Sequence, residues 1–129
     1  MDKGDVIWRL AELASFDYQS RYIIGGTKDE YRLTSELLQD VFDIDRIINL
    51  AAFRTEFSRH QLDALQDLHC FLDQNFDAAM AGDTREEHYN NIRHGTAWAD
   101  LRAKAATALN LLGVDPHQLT VDDIDRLSD

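Results

Sequence analysis

The sequence predicts an all-α fold: one domain over residues 1–129, a helical bundle of four main helices plus one or two short ones, with residues 1–4 and 127–129 frayed. Three observations predict it. Apolar residues recur three and four apart along most of the chain, the period of a helix with one buried face. One proline and six glycines leave few breaks, which favours long helices over many short strands. Helix-start signals stand ahead of the periodic stretches. The length is that of one domain, and a hydrophobic content of 44% can supply a core.

The first helix reads DVIWRLAELASF, with Asp2 or Asp5 as its cap. Val6, Leu10, Leu13 and Ala14 share a face, while Arg9 and Glu12 point elsewhere. The piece DYQSRYIIGGT allows two outcomes. Either the helix continues to Ile24 and ends at Gly25-Gly26, or Tyr22–Ile24 forms a bend or a short extended segment. The glycine pair reads as a turn, because no phosphate-binding spacing surrounds it. A second helix, TSELLQDVFDIDRIINLAA, starts near Thr34, with Leu33 placed to staple onto Leu38. Its apolar side holds Leu37, Val41, Ile44, Ile48 and Ala51, widened by Leu38 and Phe42.

The longest periodic stretch runs from Phe57 to Met80, opened by a capping box of Ser58 with Gln61. Leu62, Leu65, Leu68, His69, Leu72, Phe76, Ala79 and Met80 fall within an arc roughly 120° wide. The opposite side carries Asp63, Asp67, Asp73 and Asp77. Next, Asp83 with Glu86 offers a cap for TREEHYNNIRH, a helical segment or a long ordered loop. Thr96 then caps AWADLRAKAATALNLLG, whose stripe is Trp98, Leu101, Ala105, Ala108, Leu109 and Leu112, with Gly113 just past its end. Thr120 with Asp123 caps a final short helix.

The charge excludes some partners. Twenty-four acidic groups against thirteen basic ones give a net −11, so nucleic acid and anionic membranes lack the cationic footprint they need. A basic protein surface is the natural complement. The single Cys70 allows no intrachain disulfide and suits a reducing compartment. No secretory leader pattern opens the chain and no apolar run nears the roughly 18 residues of a span, so a cytoplasmic protein is expected.

Catalytic chemistry finds little support. Glu87-His88 has no second histidine at the HExxH spacing, and His88 and His94 lie too far apart on a helix to share a metal. Cys70 and His69 are adjacent, which points them about 100° apart and rules out a dyad. No metal, cofactor or enzymatic activity is expected. The acid pairs Asp63/Asp67 and Asp73/Asp77 face away from the apolar arc, unlike the ligands of a diiron bundle. Their density is what stands out: residues 36–83 hold ten acidic groups and three arginines. A solvated face explains such a row as well as a binding face does.

With YIIGGTKDEYRLTSELLQDVFD and WADLRAKAATALNLLGV both read, the chain resembles the small, acidic, all-helical immunity proteins of bacterial contact-dependent inhibition and polymorphic toxin systems. The resemblance implies binding and neutralising a cognate toxin domain, often a nuclease, in the producing cell. The charge map places the expected interface at Asp63, Asp67, Asp73 and Asp77, joined by Glu36, Asp40 and Asp43 if the two helices are neighbours. Tyr31 and Tyr89, in weakly patterned segments, are the expected aromatic anchors. The alternative is an acidic regulatory or adaptor protein that binds a basic partner protein.

Overall fold

The computed structural model describes residues 3–128. Among them are eight α-helices, one π-helical turn, one 3-10 turn and no strand. The α-helices are α1 (Lys3–Ala14), α2 (Phe16–Gln19), α3 (Thr34–Ile48), α4 (Ala51–Arg54), α5 (Arg59–Met80), α6 (Arg85–His94), α7 (Thr96–Leu111) and α8 (Val121–Leu127). The fold is all-α, and the predicted count of helices is too low. None of them is long and apolar enough to cross a membrane.

The extra elements come from local breaks that apolar periodicity does not register. Ser15 takes an extended conformation and accepts from the Tyr18 amide, which ends α1 and starts α2. The chain then runs without a gap into the π-helix Ser20–Ile24, whose last residue is followed by Gly25. The chain is thus helical as far as Ile24, but as new helical segments after the break at Ser15 and not as a continuation of the first helix. The second predicted helix stops at Ile48, because Leu50 turns extended and opens α4. The predicted place of Ala51 on that helix's apolar side falls outside the described side chains. Asp5 lies inside the first turn of α1, so it is not the cap, and Asp2 is outside the described residues. Lys3 and Gly4, expected to fray, are helical, and Leu127 closes α8.

Several caps sit where the residue types put them. Ser58 and Gln61 form both bonds of a capping box at α5, and Thr120 and Asp123 do so at α8. Gly113, with φ +85°, ends α7, and the Val114 amide reaches back to the Leu109 carbonyl. Two caps shift by one residue. Thr84, not Asp83, accepts from the Glu87 amide at α6. Gly95 occupies the cap position of α7, and Thr96 is its first residue, with no side-chain cap.

Helix α1 packs against α3 and α7, and α5 packs against the same two, so each of these four touches two others. Their inward residues make the core: Leu10 and Leu13, Leu37 and Leu38, Leu68 and Leu72, and Trp98 with Leu101 and Leu109 are all fully buried. Removing that much apolar surface from water is the main stabilising term.

The C-terminal end of α5 is finished by residues from the next two helices. Its last carbonyls have no partner within the helix. The Trp98 indole N–H donates to the Ala79 oxygen at 2.8 Å, and Asn91 Nδ2 donates to the Ala78 oxygen at 2.8 Å. His88 Nδ1 lies 3.1 Å from the Ala81 oxygen. Gly82 follows at φ +131°, and a Cβ there would stand 2.5 Å from the His88 backbone nitrogen. Gly82→Ala should therefore lower stability by about 2 kcal/mol, from both the strained φ and the clash. A chemical denaturation midpoint equal to that of the unchanged protein would contradict this account of the turn.

Candidate functional site

Two surfaces and one buried charge cluster hold the residues singled out from sequence. The first surface is the outer face of α5. Asp63, Asp67, Asp73 and Asp77 are all exposed there, with Cys70 among them. They follow from the helical period: the side opposite Leu65, Leu68 and Leu72 faces solvent. Asp67 is not free. Its carboxylate meets Lys104 Nζ of α7 at 2.7 Å, and that ammonium also sits 5.2 Å from the centre of the Phe71 ring. Asp63, Asp73 and Asp77 form no ion pair among the described residues.

The acids of α3 do not extend that row. Helices α3 and α5 are neighbours, as the expectation required, but Asp40 and Asp43 face α1 instead. Arg9 Nη1 donates to the Asp40 carboxylate at 3.2 Å and to the Asp40 backbone oxygen at 2.9 Å, and it lies 3.8 Å from Asp43. Arg32 pairs with Asp40 and, at 2.9 Å, with Glu12. Glu36 is exposed and 3.7 Å from Arg32. Asp40 and Asp43 thus act in a structural ion cluster, because two guanidinium groups 23 positions apart in the chain converge on Asp40 and one of them also reaches Asp43.

Glu12 sits at the centre of this cluster and is only 5% exposed, contrary to its expected outward position. The segment from Ser15 to Arg32 folds back over the outer side of α1 and covers it. The Tyr18 hydroxyl donates to Glu12 Oε1 at 2.8 Å. Burial raises the Glu12 carboxyl above its ordinary value, against the pull of Arg32 and Tyr18. Burial also raises Tyr18, with the Glu12 charge adding to it. For Arg32, burial works against the charge, but Asp40 and Glu12 outweigh it and the net shift is upward. An amphipathic reading of α1 alone has no signal for this, since the cover comes from outside the helix.

The second surface is an open cleft of about 570 Å³ between the 26–34 segment and the turn joining α5 to α6. Tyr31 and Tyr89, far apart in sequence, both line it, together with Leu33, Arg85 and Asp83. Tyr31 is 61% exposed, whereas Tyr89 is half-buried against the core. The two walls are tied together. His88 Nε2 meets Thr34 Oγ1 at 2.8 Å while its Nδ1 faces the Ala81 oxygen. A carbonyl only accepts, so Nδ1 carries the proton, and in the neutral ring Nε2 accepts from the Thr34 hydroxyl. The Arg32 amide donates to the Tyr22 oxygen at 2.8 Å, which closes the loop onto the π-helix. The Tyr22 hydroxyl in turn donates to Asp125 of α8 at 2.6 Å, and that bond pushes the phenol up to about 12.

The row and the cleft meet only at one end. Asp77 lies a turn or so from Gly82, but Asp63 is about 28 Å away by helical rise. Sequence reasoning missed Glu12, Arg9 and Arg32 as a unit, and it missed Arg85 as a cleft residue. Comparison of the chain with family models, with curated proteins and with solved structures finds no match.

Proposed function

We propose that this protein binds and neutralises a cognate bacterial toxin domain of basic character, in the manner of an immunity protein, through the outer face of α5. A nuclease is the class that fits, since its substrate cleft must be cationic. One observation supports the reading above the others. The protein neutralises Asp40, Asp43 and Asp67 with its own cations, yet leaves Asp63, Asp73 and Asp77 exposed on one helix with no ion pair among the described residues. Like charges four apart cost a helix a few tenths of a kcal/mol, so stability alone does not favour the Asp73/Asp77 pair. A basic partner offsets that cost. The row shares one face of a single helix, which sets its spacing, and long-range attraction speeds encounter. Such an inhibitor works by occlusion in the cytoplasm of the producing cell and needs no catalysis.

The test is a pair of charge reversals, Asp73→Lys with Asp77→Lys, measured against the candidate toxin domain, taken as the product of the neighbouring gene. Both side chains are exposed and form no ion pair among the described residues, so the variant should keep its fold. Binding should weaken roughly a hundredfold, since like charges facing each other at an interface cost several kcal/mol. Association of the unchanged protein should slow as salt rises, because screening limits steering to about 8 Å at physiological ionic strength. Equal rates for the folded variant would move the interface off α5. Failure of the unchanged protein to bind that domain at all would end the immunity reading.

A further inference from the structure

We propose that the cleft between the 26–34 segment and the α5–α6 turn is a binding site for a small aromatic carboxylate. The volume, about 570 Å³, suits a small molecule, for which pockets run from roughly 300 to 1,000 Å³. The lining carries both signs of charge. Arg32 and Arg85 stand there against a single carboxylate, Asp83, in a protein of net −11. Arg32 is already committed to Glu12, Asp40 and Glu36. Arg85 is exposed and has no ion pair among the described residues, so it is the cation left for a ligand. A guanidinium offers a planar pair of N–H donors that matches a carboxylate.

The rest of the lining favours a flat, apolar body. Tyr31 and Tyr89 bring two phenol rings to the same concavity, and neither hydroxyl has a hydrogen-bond partner among the described residues. Aromatic rings pack well against other rings, and a free phenol can still donate to the ligand's oxygen. The site is also set before any ligand arrives. His88 joins the walls through Nε2 to Thr34 and is held to its own wall through Nδ1 to the Ala81 oxygen, and a Cβ at Gly26 would lie 2.9 Å from that of Tyr31, so the loop is tightly packed there. The sequence predicts both tyrosines as anchors for a protein partner, but an open cleft of this size can also seat a small molecule.

Three probes with one ring system and different charges test this: indole-3-acetate, indole-3-acetamide and tryptamine. Net charge alone would favour tryptamine, the cation. The proposed site reverses that order, so indole-3-acetate should bind roughly tenfold more tightly than tryptamine, with the amide between them. In heteronuclear NMR titrations the shifts should centre on Tyr31, His88 and Tyr89. Arg85→Gln, at an exposed residue without an ion pair among the described residues, should abolish the preference for the acetate. Tyr31→Ala should weaken all three together. The site is refuted if no probe binds, if tryptamine binds as tightly as the acetate, or if Arg85→Gln leaves the order unchanged. The α5 row takes no part, so either result leaves the toxin-binding reading to its own test.

Discussion

Trp98→Ala should cost about 3–5 kcal/mol of stability, the usual range for removing a large aromatic side chain from a core. The side chain is fully buried on α7, in the interior that α7 shares with α1 and α5. Two losses combine. The cavity forfeits the ring's contacts, and the Ala79 carbonyl at the end of α5 loses the shorter of its two side-chain donors, keeping Asn91 Nδ2 at 3.3 Å. Trp98→Phe separates them, because it keeps much of the volume and removes the donor. That variant should lose about 1 kcal/mol, because Asn91 still donates to the carbonyl, and the difference between the two is the packing share. Urea unfolding followed by far-UV circular dichroism gives both numbers. A loss below 1 kcal/mol for Trp98→Ala would mean that this end of α5 is not held as described.

Glu12→Ala is the second large effect, at about 3 kcal/mol. The carboxylate is almost wholly buried and holds Tyr18 and Arg32 at once, and removing one member of a buried charge cluster leaves the others short of partners. Asp40 stays on Arg32, which keeps the cost at the low end of the range for such losses. The pH dependence has a definite sign. Because the folded carboxyl is raised above its ordinary value near 4.5, the stability this group contributes is complete below that value. It declines as pH rises through the folded value. Glu12→Gln cannot titrate and so does not share the decline. The gap in stability between unchanged protein and Glu12→Gln should therefore be narrower at pH 7 than at pH 4.5. A gap that widens over that interval would show that ion pairing, not burial, dominates at Glu12.

The features legible in the sequence are those decided within a few residues. The capping boxes at Ser58 and Thr120 and the terminal Gly113 depend on bonds no longer than one helical turn. The apolar stripes of α3, α5 and α7 follow from the helical period, and with them the solvent-facing row Asp63, Asp67, Asp73 and Asp77. The acid row was therefore visible as a row, though the Lys104 contact that takes Asp67 out of it was not. Even the short-range record is incomplete, because Ser15 and Leu50 each broke a run whose apolar pattern continued.

Tertiary structure alone decided the roles of the remaining charges and rings. Whether Asp40 faces a partner or Arg9 depends on a residue 31 positions away, and the His88–Thr34 bridge that shapes the cleft spans 54. Glu12 looks outward on α1 until the Ser15–Arg32 segment covers it. Tyr31 and Tyr89 come from stretches with weak patterns, and only the packing of the 26–34 segment beside the α5–α6 turn sets them around one cleft. The physical reason is common to these cases. Helical periodicity says which side of a helix avoids water, but the partner of a polar group is set by whichever element arrives beside it, and that depends on how the whole chain packs.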